Sequence, residues 1–260
     1  MSFMVKKTDS AKTKKTAAIL SVVLVLLILV FLGIIFYPDI NDFRIRQKNN
    51  RLYGGMTSEL KDSSLYKDLR SGKSICFLGD SITSGYHTDE VPWYQALTPH
   101  IKGEVFNYSR SGWKINDLIG HGDEIPSADI YIIAIGINDI LFYNEYNASE
   151  TADDFAVNAG RLTDLVKSKS SGAKIYYVSP WTFCDLKESY FIRGDEYRKA
   201  LAAYCESSGC IYINADPVIS SVLADEGFEK YMFNQFHPNA PDGIGLFSYA
   251  VLKAAHDQGI

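Results

Sequence analysis

The chain has 260 residues, 47% of them hydrophobic and 13% aromatic, with a formal charge of −5 at pH 7, which suits one α/β domain with a sizeable core plus an appendage. Outside the first 16 residues, 21 bases stand against 30 acids, a net −9, and that balance argues against a nucleic-acid partner. The four cysteines, Cys76, Cys184, Cys205 and Cys210, lack zinc-ligand spacing, although Cys205 and Cys210 flank a turn across which an exported domain could close a bridge.

Residues 1–16 form a basic tail, with Lys6, Lys7, Lys12, Lys14 and Lys15 against Asp9. Residues 17–36 follow with Ser21 as the one polar side chain. Twenty helical residues reach roughly 30 Å, the thickness of a bilayer's hydrocarbon core. A cleaved signal peptide has a shorter apolar region ending at a small-x-small site. This one runs into Tyr37-Pro38-Asp39, so an uncleaved transmembrane anchor is expected. The leading lysines face Arg44, Arg46, Lys48 and Arg51 across the segment. The positive-inside count gives a small preference for a cytoplasmic N-terminus, hence a single-pass membrane protein with its domain outside the cell. Residues 37–55, with Gly54-Gly55, read as a stalk, and 56–260 as the folded domain.

Within the domain, Leu60, Leu65 and Leu69 fall on one helical stripe over 56–69. Residues 73–77 read as a buried strand, ended by Gly79-Asp80-Ser81, residue types that favour tight turns and helix starts, with Ser81 itself a possible N-cap. Residues 91–101 have helical spacing. A second strand over 104–108 ends in Asn107-Tyr108-Ser109-Arg110-Ser111-Gly112, and 115–119 reads as a short helix. The run 129–135, with Ile130, Ile132, Ile133 and Ile135, suits a strand buried on both faces; it stops at Gly136-Ile137-Asn138-Asp139. An amphipathic helix is expected over 151–168, a fourth strand over 173–179, a long helix over 188–206, a fifth strand over 210–213 and a short helix over 217–223. A loop over 227–239 and a closing helix over 243–256 complete the chain. Strands alternating with helices at this spacing indicate a parallel sheet with helices on both faces.

Turns that follow the strands of such a sheet share one edge, the edge where open α/β folds place their chemistry. Ser81, Gly112 and Asn138 follow strands one, two and three, and Asn234-Gln235-Phe236-His237-Pro238-Asn239 precedes the last helix. A serine hydroxyl is a weak nucleophile until an imidazole takes its proton, and His237 is the candidate base. The Asn138 amide and the backbone N–H groups of Gly112 and Ser81 can act as donors to an oxyanion. Asp80 and Asp139 read as structural hydrogen-bonding groups. His87, His100, His121 and His256 show no ligand spacing and read as surface or core residues. Trp93, Tyr94, Trp113, Trp181 and the run Tyr143-Asn144-Glu145-Tyr146 read mostly as packing, with some of them candidates for a sugar- or acyl-binding cleft.

Taken together, Gly79-Asp80-Ser81-Ile82-Thr83, Gly112 in its Asn-x-Ser-x-x-Gly turn, Gly136-x-Asn138-Asp139 and His237-Pro238 resemble the four blocks of the SGNH (GDSL-type) hydrolase family, in the family's order and over about residues 73–257. The resemblance implies a three-layer α/β/α flavodoxin-like sandwich around a five-stranded parallel sheet. It also implies hydrolysis or transfer of acyl groups on oxygen, with no metal and no organic cofactor. The chain departs from the family at one position: three residues before the histidine, where the family has an Asp that orients the imidazole, stands Asn234. A Ser-His pair with Asn234 as neutral orienter is the leading expectation, with Asp242 as another candidate acid. The expected function is a serine esterase for small O-acyl, foremost acetyl, esters on a surface carbohydrate. An O-acyltransferase using the same residues, and a surface-binding domain that has lost catalysis through Asn234, are the alternatives.

Overall fold

The computed structural model describes residues 14, 16–33, 60–146, 148–149 and 151–260. The basic tail (apart from residues 14 and 16), the end of the apolar segment beyond residue 33, the stalk, and residues 56–59 of the first expected helix lie outside the described residues. The chain falls into two units, described separately.

The first unit holds helix α1, Thr16–Gly33, 18 residues with a mean hydropathy of 3.0. At 1.5 Å per residue it extends about 27 Å. Within it, Ser21 donates its hydroxyl hydrogen to the Ala17 carbonyl at 2.9 Å, so that group needs no water. That length and hydropathy suffice to cross a membrane, a criterion that a signal sequence near an N-terminus can also meet.

The second unit is a five-stranded, all-parallel sheet: β1 Ile75–Gly79, β2 Val105–Ser109, β3 Ile130–Ala134, β4 Lys174–Val178 and β5 Ile211–Ile213, in spatial order β2-β1-β3-β4-β5. This is the flavodoxin-like order, whose topological switch point lies between β1 and β3. Both of those central strands are buried along their whole length, whereas the edge strand β2 is partly exposed, as expected for a parallel sheet covered on both faces. The helices are α2 Ser64–Leu69, α3 Ser81–Ser84, α4 Ile115–Gly120, α5 Ile137–Leu141, α6 Ala152–Lys169, α7 Glu188–Ser208, α8 Asp216–Glu226 and α9 Asp242–Asp257. α4, α6 and α7 pack together on one face; α2, α8 and a 3₁₀ segment gather round α9 on the other.

Local chemistry accounts for the boundaries. Ser63 accepts from the Tyr66 N–H and starts α2, later than the leucine stripe alone suggests. Thr151 caps α6 by accepting from the Asp154 N–H at 3.1 Å. The expected helix over 91–101 is a 3₁₀ segment, Gln95–His100. Pro92 and Pro99 lack the N–H that α-helical bonding requires, and the Thr98 hydroxyl bonds back to the Gln95 carbonyl. The four cysteines are free. Trp93, Tyr94 and Trp181 belong to the core, with Tyr94 stacked on Phe77 at 3.6 Å between centroids.

Candidate active site

The strand register places the turns. Gly79 at the end of β1 is level with Ser109 of β2 on one side and Ala134 of β3 on the other. Ser81, Gly112 and Asn138 therefore emerge within a few residues of one line across the sheet edge, at the switch point. Gly79 itself is needed there, because a Cβ would stand 2.2 Å from the Thr83 hydroxyl and 2.5 Å from the Ala134 carbonyl. Its absence lets α3 fold back tightly on the strand.

Asp80, rather than Ser81, is the N-cap of α3: its Oδ1 accepts from the Ile82 N–H at 3.0 Å. An aspartate acceptor one residue earlier satisfies the helix start and releases the serine hydroxyl from that duty. Asn107 donates to the Thr83 carbonyl at 2.9 Å and the Trp93 indole to the Thr83 hydroxyl at 3.2 Å, fixing α3 from two neighbouring segments.

Ser81 Oγ lies 2.9 Å from His237 Nε2, although the two residues are 156 positions apart. Both are buried, at 4% and 6% exposure. His237 is held by a tight turn: the Asn234 side-chain oxygen accepts the backbone N–H groups of Phe236 (3.1 Å) and His237 (2.8 Å), the Phe233 N–H donates to the His237 carbonyl, and Met232 bridges Pro238. The two backbone donors identify which amide atom of Asn234 is oxygen. His237 Nδ1 lies 3.2 Å from that oxygen and 3.1 Å from the amide nitrogen. With a proton on Nδ1 the ring donates to Asn234 Oδ1 and Nε2 offers its lone pair to Ser81. In the other tautomer Nδ1 accepts from Asn234 Nδ2, and Nε2–H points at the serine oxygen. A carboxylate at 234 would permit the first arrangement alone. Asp242, the other candidate acid, opens α9, while the Nδ1 edge of the ring is taken by Asn234.

Burial, and then the positive charge available to the neighbouring His87 ring, lower His237 from the ordinary 6.5 to about 4. The imidazole is therefore neutral at pH 7, the form a general base requires.

On the other side of Ser81, Asn138 is buried near the start of α5, and its Nδ2 donates one hydrogen to the Trp113 carbonyl at 2.9 Å. That bond orients the amide and leaves its second hydrogen for a ligand. Gly112 has φ of +80°, and a Cβ there would find nothing within 4 Å; glycine is chosen here for the left-handed conformation of the turn and not to avoid a clash. Arg110 ties this turn to β1 through its N–H to the Gly79 carbonyl. Asp139 accepts from the Ile115 N–H and the Ser149 N–H, each at 3.1 Å. Burial raises both Asp80 and Asp139 to about 7, with the charge of Asp139 adding to the shift at Asp80.

Two features escape a reading of the sequence. The His87 ring stands 4.8 Å from His237 at 70° and stacks on Phe233 at 4.8 Å and 20°; no ligand spacing marks it, and its place just after α3 is the one local signal. Beyond α5, Lys114 is buried against the Tyr146 carbonyl (3.2 Å) and Glu145 (3.5 Å), and Arg193 lies over the Tyr143 ring at 3.5 Å.

A parallel sheet in 2-1-3-4-5 order, with a serine, an imidazole and an oriented amide gathered at its C-terminal edge, is the architecture of an α/β hydrolytic enzyme. The GDSL-like lipase/acylhydrolase family model matches residues 77–241, and the chain belongs to that family. It is a carboxylic ester hydrolase. No curated protein matches the chain. Among solved structures it is similar to a Parabacteroides merdae protein assigned to the GDSL-like lipases (TM-score 0.61, 19% identity, 71% of this chain and 95% of that one). It is also similar to Axe2, an acetylxylan esterase from Geobacillus stearothermophilus (0.58, 20%, 72% and 95%), and to a member of the lipolytic G-D-S-L family from Veillonella parvula (0.56, 20%, 69% and 96%). At these identities the likeness concerns the fold.

Proposed function

We propose that the domain is a serine esterase that removes small acyl groups, acetyl foremost, from carbohydrate hydroxyls. The observation that carries this reading is the 2.9 Å contact between Ser81 Oγ and His237 Nε2. As Oγ bonds to the ester carbon, its proton passes to Nε2, and the carbonyl electrons move onto oxygen. That oxyanion is held by the second Asn138 amide hydrogen and the N–H groups of Gly112 and Ser81. Collapse breaks the bond to the alcohol, whose oxygen takes the proton from Nε2. Water then repeats the sequence on the acyl-serine, giving the carboxylic acid and free Ser81. In the productive tautomer Asn234 Oδ1 accepts from Nδ1–H, without supplying charge. The acetylxylan esterase among the structural neighbours makes acetyl and a sugar the first substrates to assay.

A fluorophosphonate probe and acetate release from acetylated oligosaccharides test this together. The wild type should label and turn over; Ser81→Ala should lose labelling and at least about 10⁴ in kcat. An unlabelled wild type would falsify the nucleophile assignment and favour a binding domain.

We further propose that α1 stays on the mature chain as a single-pass anchor, with the N-terminus cytoplasmic and the domain outside the cell. Its reach of about 27 Å and lack of a small-x-small cleavage site support this. Intact mass of the membrane fraction should include residues 1–33; a chain beginning beyond them would mean cleavage.

A further inference from the structure

We propose that Tyr86, His87 and Phe233 form a binding subsite for the alcohol half of the ester, and that its occupant is a glycosyl ring stacked on the exposed faces of Tyr86 and Phe233. The inference rests on the esterase reading above and names which part of the substrate this wall contacts.

Mechanism fixes which half of the ester lies there. The departing oxygen must come within about 3 Å of His237 Nε2 to receive its proton, while the acyl oxygen turns toward Asn138 and Gly112. Whatever surrounds the imidazole therefore surrounds the alcohol. Around it stand three rings: His87 at 4.8 Å and 70°, Tyr86 at 6.0 Å and 59°, and Phe236 at 4.7 Å and 51°. Phe233 extends the wall by stacking on His87. Tyr86 and Phe233 are 51% and 59% exposed, an unusual outlay of aromatic surface beside two nearly inaccessible catalytic groups.

The wall is held in place by a loop with an unusual backbone. His87, Asp89 and Glu90 have φ of 67°, 53° and 62°, the left-handed region that side-chain-bearing residues seldom occupy and that clusters at functional sites. Thr88 is buried between them, its hydroxyl 2.7 and 2.8 Å from the carbonyls of Gly85 and Val91. The Glu90 N–H also donates to the Gly85 carbonyl at 3.1 Å. With Thr88 turned inward, Tyr86 and His87 project toward His237.

The character of the wall selects the ligand. A long alkyl alcohol is best matched by a continuous apolar groove. Here the two exposed rings are separated by a polar imidazole, and the exposed side chains of Asp89 and Glu90 lie in the same loop. A pyranose has the complementary pattern: a C–H face for the rings and a rim of hydroxyls for the imidazole and carboxylates.

The test measures kcat/KM of the full chain on a mono-O-acetylated methyl pyranoside, ethyl acetate, octyl acetate and phenyl acetate. For Tyr86→Ala and Phe233→Ala the ratio of the pyranoside ester to ethyl acetate should fall about three- to tenfold each, the range set by a lost aromatic stacking contact. The fall should be carried mainly by KM, and Phe233→Tyr should retain the wild-type ratio. A ratio unchanged in both alanine variants, or a larger loss on octyl or phenyl acetate, overturns the proposal while leaving the esterase intact. A second arm needs no turnover: calorimetric titration of Ser81→Ala with the same acetylated pyranoside should show Kd rising about three- to tenfold when Phe233→Ala is added. An unchanged Kd, or no pyranoside binding to Ser81→Ala at all, overturns the subsite. Binding that depends on Phe233 in a chain that hydrolyses no ester would retain the subsite and refute the esterase.

Discussion

Asp139 and Asn234 do the same structural work on opposite sides of Ser81, one as an acid and the other as an amide. Asp139 accepts two backbone N–H groups and thereby fastens α4 and the Ser149 segment to the start of α5. Asn234 Oδ1 also accepts two, from Phe236 and His237, and closes the turn that carries the imidazole. The difference lies in charge. On the proposed oxyanion side a buried carboxyl, raised to about 7 by burial, stands one residue from the Asn138 amide proposed to meet the developing negative charge. On the side of the proposed base, among the described residues, the His237 ring bonds to Ser81 and Asn234 and to no acid. Holding a turn needs only an acceptor; stabilising an imidazolium calls for an anion. The site thus keeps its geometry on both sides and leaves the histidine electrostatically unsupported.

The largest effect expected in this comparison comes from the oxyanion side. Asn138→Ala removes an oriented donor in a buried site, and such losses cost about 10²–10³ in kcat, or about 2.7–4 kcal/mol. KM for an acetyl ester should change far less than kcat. Retention of wild-type kcat would mean that the Gly112 and Ser81 N–H groups suffice without the amide.

Exchanging the acid on that side should act on folding. Asp139→Asn retains one acceptor oxygen but sets an NH2 group against a backbone N–H inside the core. A buried donor left unpaired costs about 1–3 kcal/mol, and the denaturation midpoint should fall accordingly with the slope unchanged. The variant also removes a group that takes up a proton on folding. Because the folded carboxyl is raised from 3.8 to about 7, its contribution to stability is fully present below about pH 4 and is lost as pH rises toward 7. The wild type should therefore lose more stability than Asp139→Asn between pH 4 and 7. Equal slopes in the two proteins would place the ionisation elsewhere.

The contrast also marks what the sequence could reveal. Strand ends were legible because apolar runs stop at polar turns: 129–135 before Gly136 gave β3, and Gly79-Asp80-Ser81 gave the bend after β1. The parallel arrangement then brought Ser81, Gly112 and Asn138 to one edge without any long-range information. What remained hidden depends on contacts between distant segments or on competing local signals. Ser81 and Asp80 are both good caps, and the tertiary bond to His237 goes with the aspartate taking that role. Helical spacing over 91–101 was overruled by two prolines. Trp93 and Trp181 fill the core, in line with their reading as packing residues, while the less conspicuous Tyr86 and Phe233 stand at the surface. His87 lies 150 positions from His237, and its place just after α3 is the one local hint of their contact.

Asn234→Asp supplies the missing charge and is the sharpest test of the comparison. In this site a carboxylate can accept the same two backbone N–H groups and can no longer offer Nδ2–H to the imidazole. The unproductive tautomer loses its partner, and the imidazolium gains a counter-ion. We expect kcat/KM on a small acetyl ester to rise at least about tenfold at pH 7, which corresponds to about 1.4 kcal/mol. The acid limb of the profile should move as well. In the wild type the base is neutral down to about pH 4, so activity should persist well below pH 6; an adjacent carboxylate raises the imidazole, and the limb should shift upward by a unit or more. A shifted limb without a faster rate would mean that the amide already holds the ring correctly and that charge on the imidazolium does not limit turnover. A faster rate without a shift would assign the gain to the tautomer. If neither changes, Asn234 is a turn-former alone, and the two sides of Ser81 differ in composition without differing in catalytic consequence.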